Sequence, residues 1–225
     1  MSEQQPSPLQ QRVSQMASEA IQKADPYAWF EPLYAEAQGD TAQIPWARLA
    51  THPYLQDWLG QRIVSAPKGA AIVVGCGLGD DAEALAEQGF QVTAFDISPT
   101  AIAWCRQRFP NSPVDYQVAD LFHLSPAWQG GFELVFECRN VQALPLNLRT
   151  EAITAVASLV APQGSLLVVT HLRPDDTVPD GPPWPLSNRE LAQFEQSGLQ
   201  EVDRKFLTVS VPAVQVLGLE YRRPG

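Results

Sequence analysis

Apolar positions along the chain change rhythm three times, and each change predicts a different kind of element. Val13, Met16, Ala17, Ala20 and Ile21 recur at three- and four-residue spacing, which predicts an amphipathic helix that Asp25-Pro26 ends. From Tyr27 to Leu59 large rings (Tyr27, Trp29, Phe30, Tyr34, Trp46, Tyr54, Trp58) crowd a segment broken by Gly39, Pro45 and Pro53. That pattern predicts short helices forming a lid or outer layer, with most of the rings packed beneath them. After Pro67-Lys68-Gly69 the rhythm becomes that of an alternating strand and helix chain. Ala70–Val74 is a continuous apolar run of strand length, a glycine-rich turn follows, and Ala82, Leu85 and Ala86 then keep helical spacing up to Gly89.

Gln91–Phe95 predicts the next strand, and Ser98-Pro99 opens a helix with a capping hydroxyl and a proline at the first helical position. Val114–Val118, Phe132–Phe136 and Ser165–Thr170 are three further strand-like runs, with a helical stretch at Leu148–Val160 that Pro162-Gln163-Gly164 terminates. Ser187 and Glu190 form a capping-box pattern for one more helix, closed by Gly198. Val202–Val211 and Val214–Tyr221, parted by Pro212, close the chain as two consecutive strands. The alternation predicts an α/β fold: a mostly parallel sheet with helices on both faces and one antiparallel strand.

At 225 residues the expectation is one domain, with residues 12–66 as a helical lid and 67–225 as the sheet core. Residues 1–11, polar and rich in Pro, Gln and Ser, are expected to stay disordered, with order beginning near Arg12. With 25 acidic against 15 basic residues the net charge is −10, which repels polyphosphate and anionic lipid, so neither nucleic acid nor a membrane is expected as a partner. The three cysteines, Cys76, Cys105 and Cys138, follow no C-x-x-C spacing, so no disulfide framework or metal site is expected and a reducing cytoplasm suits them. The first residues form no signal peptide, and no apolar run approaches the ~20 residues needed to span a bilayer.

The chemistry concentrates in Val73-Val74-Gly75-Cys76-Gly77-Leu78-Gly79-Asp80. A buried strand that runs through alternating glycines into a helix lets backbone N–H groups approach a ligand closely. A dinucleotide fingerprint, G-x-G-x-x-G, would need its third glycine where Asp80 or Ala82 stands. Asp80 and Asp81 at the helix start would also repel a pyrophosphate, but not a cationic sulfonium. Asp96, at the end of the second strand, is placed to accept from ribose hydroxyls, with capping of the Ser98-Pro99 helix as its alternative role. Asp120, after the third strand, is placed to accept from an adenine amine while Leu121 and its apolar neighbours cover the ring.

These motifs, in this order, resemble the class I S-adenosylmethionine methyltransferases, and among them the thiopurine and thiol methyltransferase-like branch. The resemblance rests on Val73–Asp81, Phe95–Ile102, Phe132–Glu137, Gln142-Ala143-Leu144-Pro145, Pro162-Gln163-Gly164 and Gly181-Pro182-Pro183-Trp184. It implies a Rossmann-like sheet of seven strands in the order 3-2-1-4-5-7-6, strand seven antiparallel, with S-adenosyl-L-methionine laid over the first two strands. By the same resemblance the cofactor residues are Gly75, Cys76, Gly77, Gly79, Asp96, Ile97, Asp120, Leu121 and Glu137. Val73 stands where many such enzymes carry an acidic residue.

Methyl transfer requires alignment of donor and acceptor and exclusion of water, so no catalytic triad is expected. Placement alone nominates Trp29, Trp46, Arg139, His171 and Trp184 as substrate residues, with Arg173 nearby. The expected activity is methyl transfer to a small molecule, with a thiol favoured by the resemblance. The alternatives are a regulatory protein that binds the same cofactor without catalysis and, less favoured by the glycine spacing, an NAD-dependent oxidoreductase.

Overall fold

Strands that are covered on both faces must be apolar along their whole length, and the apolar runs of this chain pair side by side accordingly. In the computed structural model, which describes residues 7–61, 69–179, 181–208 and 215–225, β1 (Ala70–Val74) lies at the centre. It is flanked in parallel by β2 (Gln91–Asp96) and β4 (Phe132–Cys138). Beyond them stand β3 (Asp115–Val118) and β5 (Val160–Leu172); β6 (Gln200–Leu207) and β7 (Gln215–Arg222) complete the sheet. The order is β3-β2-β1-β4-β5-β7-β6, with β7 antiparallel to both β5 and β6. This is the expected topology. Strand order reverses between β1 and β4, so a crevice opens at the carboxyl ends of the central strands.

Successive residues of β1 face opposite ways, and two cores follow from that alternation. Ile72 and Val74 join Val135, Leu166 and Val168 beneath α6 (Arg149–Ser158) and α7 (Asn188–Gln196). Ala71 and Val73 join Leu134, Phe136 and Val169 against α3 (Pro53–Gly60), α4 (Asp80–Glu87) and α5 (Pro99–Arg108). A third cluster belongs to the N-terminal layer, where α1 (Pro8–Gln22) and α2 (Phe30–Ala37) pack Val13, Ala17, Trp29, Leu33 and Tyr34 over Leu78 and Ala101. Glu31 of α2 fastens this layer to the sheet. Its carboxylate accepts from the Ser98 hydroxyl (2.5 Å), the Thr100 N–H (3.1 Å) and the Thr100 hydroxyl (2.6 Å), at the start of α5.

Three expectations are corrected. Order begins before Arg12: Ser7 and Gln10 form a reciprocal capping box and Pro8 occupies the first turn, so residues 8–11 belong to α1 with Ser7 as its cap. The helix before β5 stops at Ser158, and Pro162–Gly164 lies within β5, not at a helix end. There the pairing jumps from Phe132↔Val160 to Leu134↔Ser165, and Gln163 takes a left-handed φ of 62°, so the motif is a bulge. The sixth strand ends at Leu207; residues 209–214, including Val211 and Val214, lie outside the described residues, as do residues 1–6 and the lid boundary at 62–68.

Candidate functional site

A cavity of about 1150 Å³ occupies the crevice, floored by the ends of β1, β2 and β4 and roofed by the aromatic layer. The turn after β1 is shaped by its glycines. Gly75 sits at φ 53°, and a Cβ there would lie 1.8 Å from Oδ1 of Asn140, whose Nδ2 donates to the Val74 carbonyl (2.7 Å). The neighbouring strands are thus stitched together over a residue that has to be glycine. Gly79 serves a different close approach: at φ 90° it caps α4, where a Cβ would fall 2.5 Å from the Tyr116 hydroxyl.

Asp96 is only 8% exposed and lines the cavity. Its Oδ2 accepts from the Gly77 N–H and its Oδ1 from the Ser98 N–H, each at 3.0 Å. It therefore holds the glycine turn and the start of α5 at once, while a carboxylate has lone pairs left for a ligand. Burial pushes its carboxyl up to about 6 against the lowering effect of these N–H bonds. Asp120 also lines the cavity; its Oδ1 accepts from the Phe122 N–H (2.9 Å), and its Oδ2 lies 2.7 Å from Nδ1 of His123. The two acids at the head of α4 part company. Asp80 is clamped by the Arg108 guanidinium (2.7 and 2.9 Å), whereas Asp81 accepts the His52 N–H on Oδ1 (2.7 Å).

Most of the residues expected at the site meet in this cavity: Gly75, Cys76, Gly77, Asp96, Ile97, Asp120 and Leu121 on the floor, with Trp29, Trp46, Arg139 and His171 around it. Three do not line it. Gly79 turns into the α4 cap. Glu137 is fully buried, its Oε1 accepting the Asn140 (2.5 Å) and Val141 (3.0 Å) N–H groups. Trp184 packs into the N-terminal cluster against Gly181. Arg173 spans outward to Glu190 (2.8 Å). Sequence reasoning missed Tyr34, Arg48, His52, Asn140 and Gln142, which line the cavity too. His52 had one legible signal, the His-Pro pair that opens α3, where its Nδ1 accepts the Tyr54 N–H (3.2 Å).

Neither cavity thiol is poised to attack. Cys76 is held far above the usual thiol range by a hydrogen bond with Cys105 and by burial, and burial likewise pushes Cys138 upward. Glu137 offers a measurable consequence of its burial. Its carboxyl is pushed up to about 7 from the ordinary 4.5, so the folded protein keeps a proton that the unfolded chain loses. Its stabilising effect is complete below pH 4.5 and is lost as pH rises through 7. Glu137→Gln is expected to gain about 3 kcal/mol relative to the parent between pH 4 and pH 8. Urea unfolding at both pH values measures this, and a difference that ignores pH would refute it.

The profile of the family described as thiopurine S-methyltransferase matches residues 36–215. The chain belongs to this family. The thiopurine S-methyltransferase match thus takes in the crevice and part of its roof. A ubiquinone biosynthesis O-methyltransferase of Xanthomonas campestris is 34% identical over 54% of this chain and 50% of its own length. A probable thiol methyltransferase 2 of Arabidopsis thaliana is 32% identical over 56% of each chain. The chain therefore spans about half the length of the curated relatives it matches. The N-methyltransferase NodS of Bradyrhizobium japonicum WM9, solved with S-adenosyl-L-homocysteine, superposes with a TM-score of 0.66 at 22% identity, covering 86% of this chain and 99% of its own. That likeness establishes the shared fold.

Proposed function

We propose that this thiopurine S-methyltransferase family member transfers a methyl group from S-adenosyl-L-methionine to a small-molecule acceptor, a thiol being the favoured class. The observation that carries the reading is Asp96, a carboxylate at the β2 end that faces the cavity and also fixes the Gly77 N–H. In this reading Asp96 accepts from the ribose hydroxyls, the Gly75–Gly77 turn lies along the methionine end, and Asp120, Ile97 and Leu121 take the adenine. Trp29 adds support: it is 3% exposed, lines the cavity, and its indole N–H is buried with no partner among the described residues. A buried donor left without a partner is costly, and a ligand acceptor removes that cost.

The cofactor supplies an electrophilic methyl on a positive sulfur; the chain's part is to orient the reactants and keep water out. Trp46 serves the second task from the roof, anchored by its indole N–H to the Tyr34 hydroxyl (2.7 Å) and edge-on to Trp29, Phe30 and Tyr34. The thiol preference rests on the family and on the Arabidopsis thaliana relative. A cytoplasmic setting with no nucleic-acid partner belongs to the same reading, from the free cysteines and the net charge of −10. No helix among the described residues is long and apolar enough to cross a membrane.

S-adenosylmethionine and S-adenosylhomocysteine are expected to raise the melting temperature and NAD to leave it unchanged. Ligand at a hundredfold above its dissociation constant stabilises by about 2.7 kcal/mol, which for a chain of this size is roughly 5–10 °C. Stabilisation by NAD alone would sink the reading. Binding of both sulfur compounds with no labelled methyl passed to a broad panel of small molecules would instead favour a regulatory protein.

A further inference from the structure

The roof of the cavity is tied to its floor through a single residue. Ser98 is fully buried between the end of β2 and the start of α5, and every polar group it has is engaged. Its N–H donates to Oδ1 of Asp96 (3.0 Å), and its carbonyl accepts the Ile102 N–H (3.2 Å). Its hydroxyl donates to Oε2 of Glu31 (2.5 Å) while accepting the Ala101 N–H (3.0 Å). Two carboxylates from different elements therefore meet across Ser98. Asp96 faces the cavity from the end of β2, whereas Glu31 belongs to α2, the helix whose Phe30 and Tyr34 line the cavity from the roof.

Thr100 adds its N–H (3.1 Å) and its hydroxyl (2.6 Å) to the same Glu31 carboxylate. The first turn of α5 has no acid of its own, so Glu31 supplies from α2 the negative charge that a helix N-terminus favours. Burial works to raise the Glu31 carboxyl, and these three donors outweigh it, which holds it below the ordinary 4.5 and charged at neutral pH. Its charge reaches Asp96, where it joins burial in disfavouring the anion. Glu31 itself does not line the cavity.

We infer that Glu31 is a positioning residue that links closure of the roof to occupancy of the cofactor pocket, acting through Ser98 on Asp96. The inference rests on the methyl-transfer reading above, in which ribose hydroxyls donate to Asp96. Those donors offset the Asp96 charge, so repulsion between the two carboxylates falls and the bonds from Ser98 and Thr100 to Glu31 strengthen. The roof then closes over an occupied pocket and shuts water out once the methyl donor has arrived. The link is reciprocal: the factor by which the cofactor favours the closed roof is the factor by which the closed roof raises cofactor affinity.

Hydrogen exchange on the full chain, with and without saturating S-adenosylhomocysteine, tests the link. In the parent the ligand is expected to slow exchange of the α1 and α2 amides about fivefold to thirtyfold, within the usual span of coupling between sites. Glu31→Gln keeps the length of the side chain and gives up its charge. Its affinity for S-adenosylhomocysteine should fall by the same factor, and saturating ligand should no longer slow α1 and α2. Thr100→Val, which removes one donor and leaves Ser98 and Asp96 in place, should lie between the two. A merely structural Glu31 would lower the melting temperature and leave the ligand-induced slowing intact, so undiminished slowing in Glu31→Gln would overturn the link. The double variant Glu31→Gln/Asp96→Asn decides the route: with the Asp96 charge gone, losing Glu31 should cost little further affinity, and an equal cost in both backgrounds rules out the path through Ser98. A parent that binds S-adenosylhomocysteine without slowing its roof defeats the link alone, whereas one that does not bind it sinks the methyl-transfer reading and the link together.

Discussion

Asp96→Ala is expected to weaken S-adenosylhomocysteine binding at least a hundredfold, the largest effect on cofactor affinity of any single substitution here. Two hydrogen bonds from ribose hydroxyls to a carboxylate contribute on the order of 1.5–3 kcal/mol each, and 2.7 kcal/mol or more is a factor of a hundred. The structure adds a second loss, because the Gly77 and Ser98 N–H groups give up their acceptor and the glycine turn is released. Stability should fall by only about 1–3 kcal/mol, since removing a carboxylate that burial disfavours offsets part of the unpaired N–H cost. Calorimetry and urea unfolding on the same variant separate the two effects, and an unchanged affinity would leave Asp96 as a capping residue alone.

The largest loss of stability is expected at Arg149, which is 2% exposed and crosses the space between β4, the Trp184 segment and α7. Its guanidinium donates to the Val141 carbonyl and, at 2.9 Å, to the Trp184 carbonyl, while its Nε lies 3.1 Å from Glu190 Oε1. Arg149→Met keeps most of the volume but takes the guanidinium from the Trp184 carbonyl, leaves the Val141 carbonyl with the Leu144 N–H alone, and leaves Glu190, 9% exposed, with Arg173 as its remaining cation. Removing one partner of a buried pair costs about 3–5 kcal/mol, which for a chain of this size lowers the melting temperature by roughly 6–20 °C. Adding Glu190→Gln should recover part of that, because the stranded charge goes with it. A single variant that melts within a degree or two of the parent would refute the account.

The strands of the sheet centre could be read directly because both of their faces are buried, so Ala70–Val74 is apolar without interruption and Phe132–Phe136 is broken only by the exposed Glu133 near its start. The helix starts at Ser98 and Ser187 were equally legible, since capping is a local bond between a hydroxyl and an N–H three residues on. Strand order came from the likeness of the motifs to a family and not from periodicity. The failures involve contacts that no local pattern encodes. Pro162–Gly164 carries the signals of a helix stop, yet pairing with β4 draws it into a strand as a bulge. Glu137 sits at a strand end as a cofactor ligand would, but it is fully buried and the two N–H groups of its own following turn take its Oε1. Arg139 and His171 were nominated by position alone; that His52 lines the same cavity depends on a fold-back from a segment 87 residues before Arg139 and 119 before His171.

Glu31 reaches across 67 residues to Ser98 and 69 to Thr100. A ribosome therefore makes the roof long before it makes the place where the roof is fastened. At ~5–20 residues per second, the interval is roughly 3 to 14 seconds. Throughout it Trp29, Phe30 and Tyr34 have left the ribosome's active centre with no Ala101 or Trp104 to pack against. The aromatic richness that encloses the finished crevice is thus also the nascent chain's exposed apolar surface, and the moment α5 is complete is the earliest at which that surface can be covered.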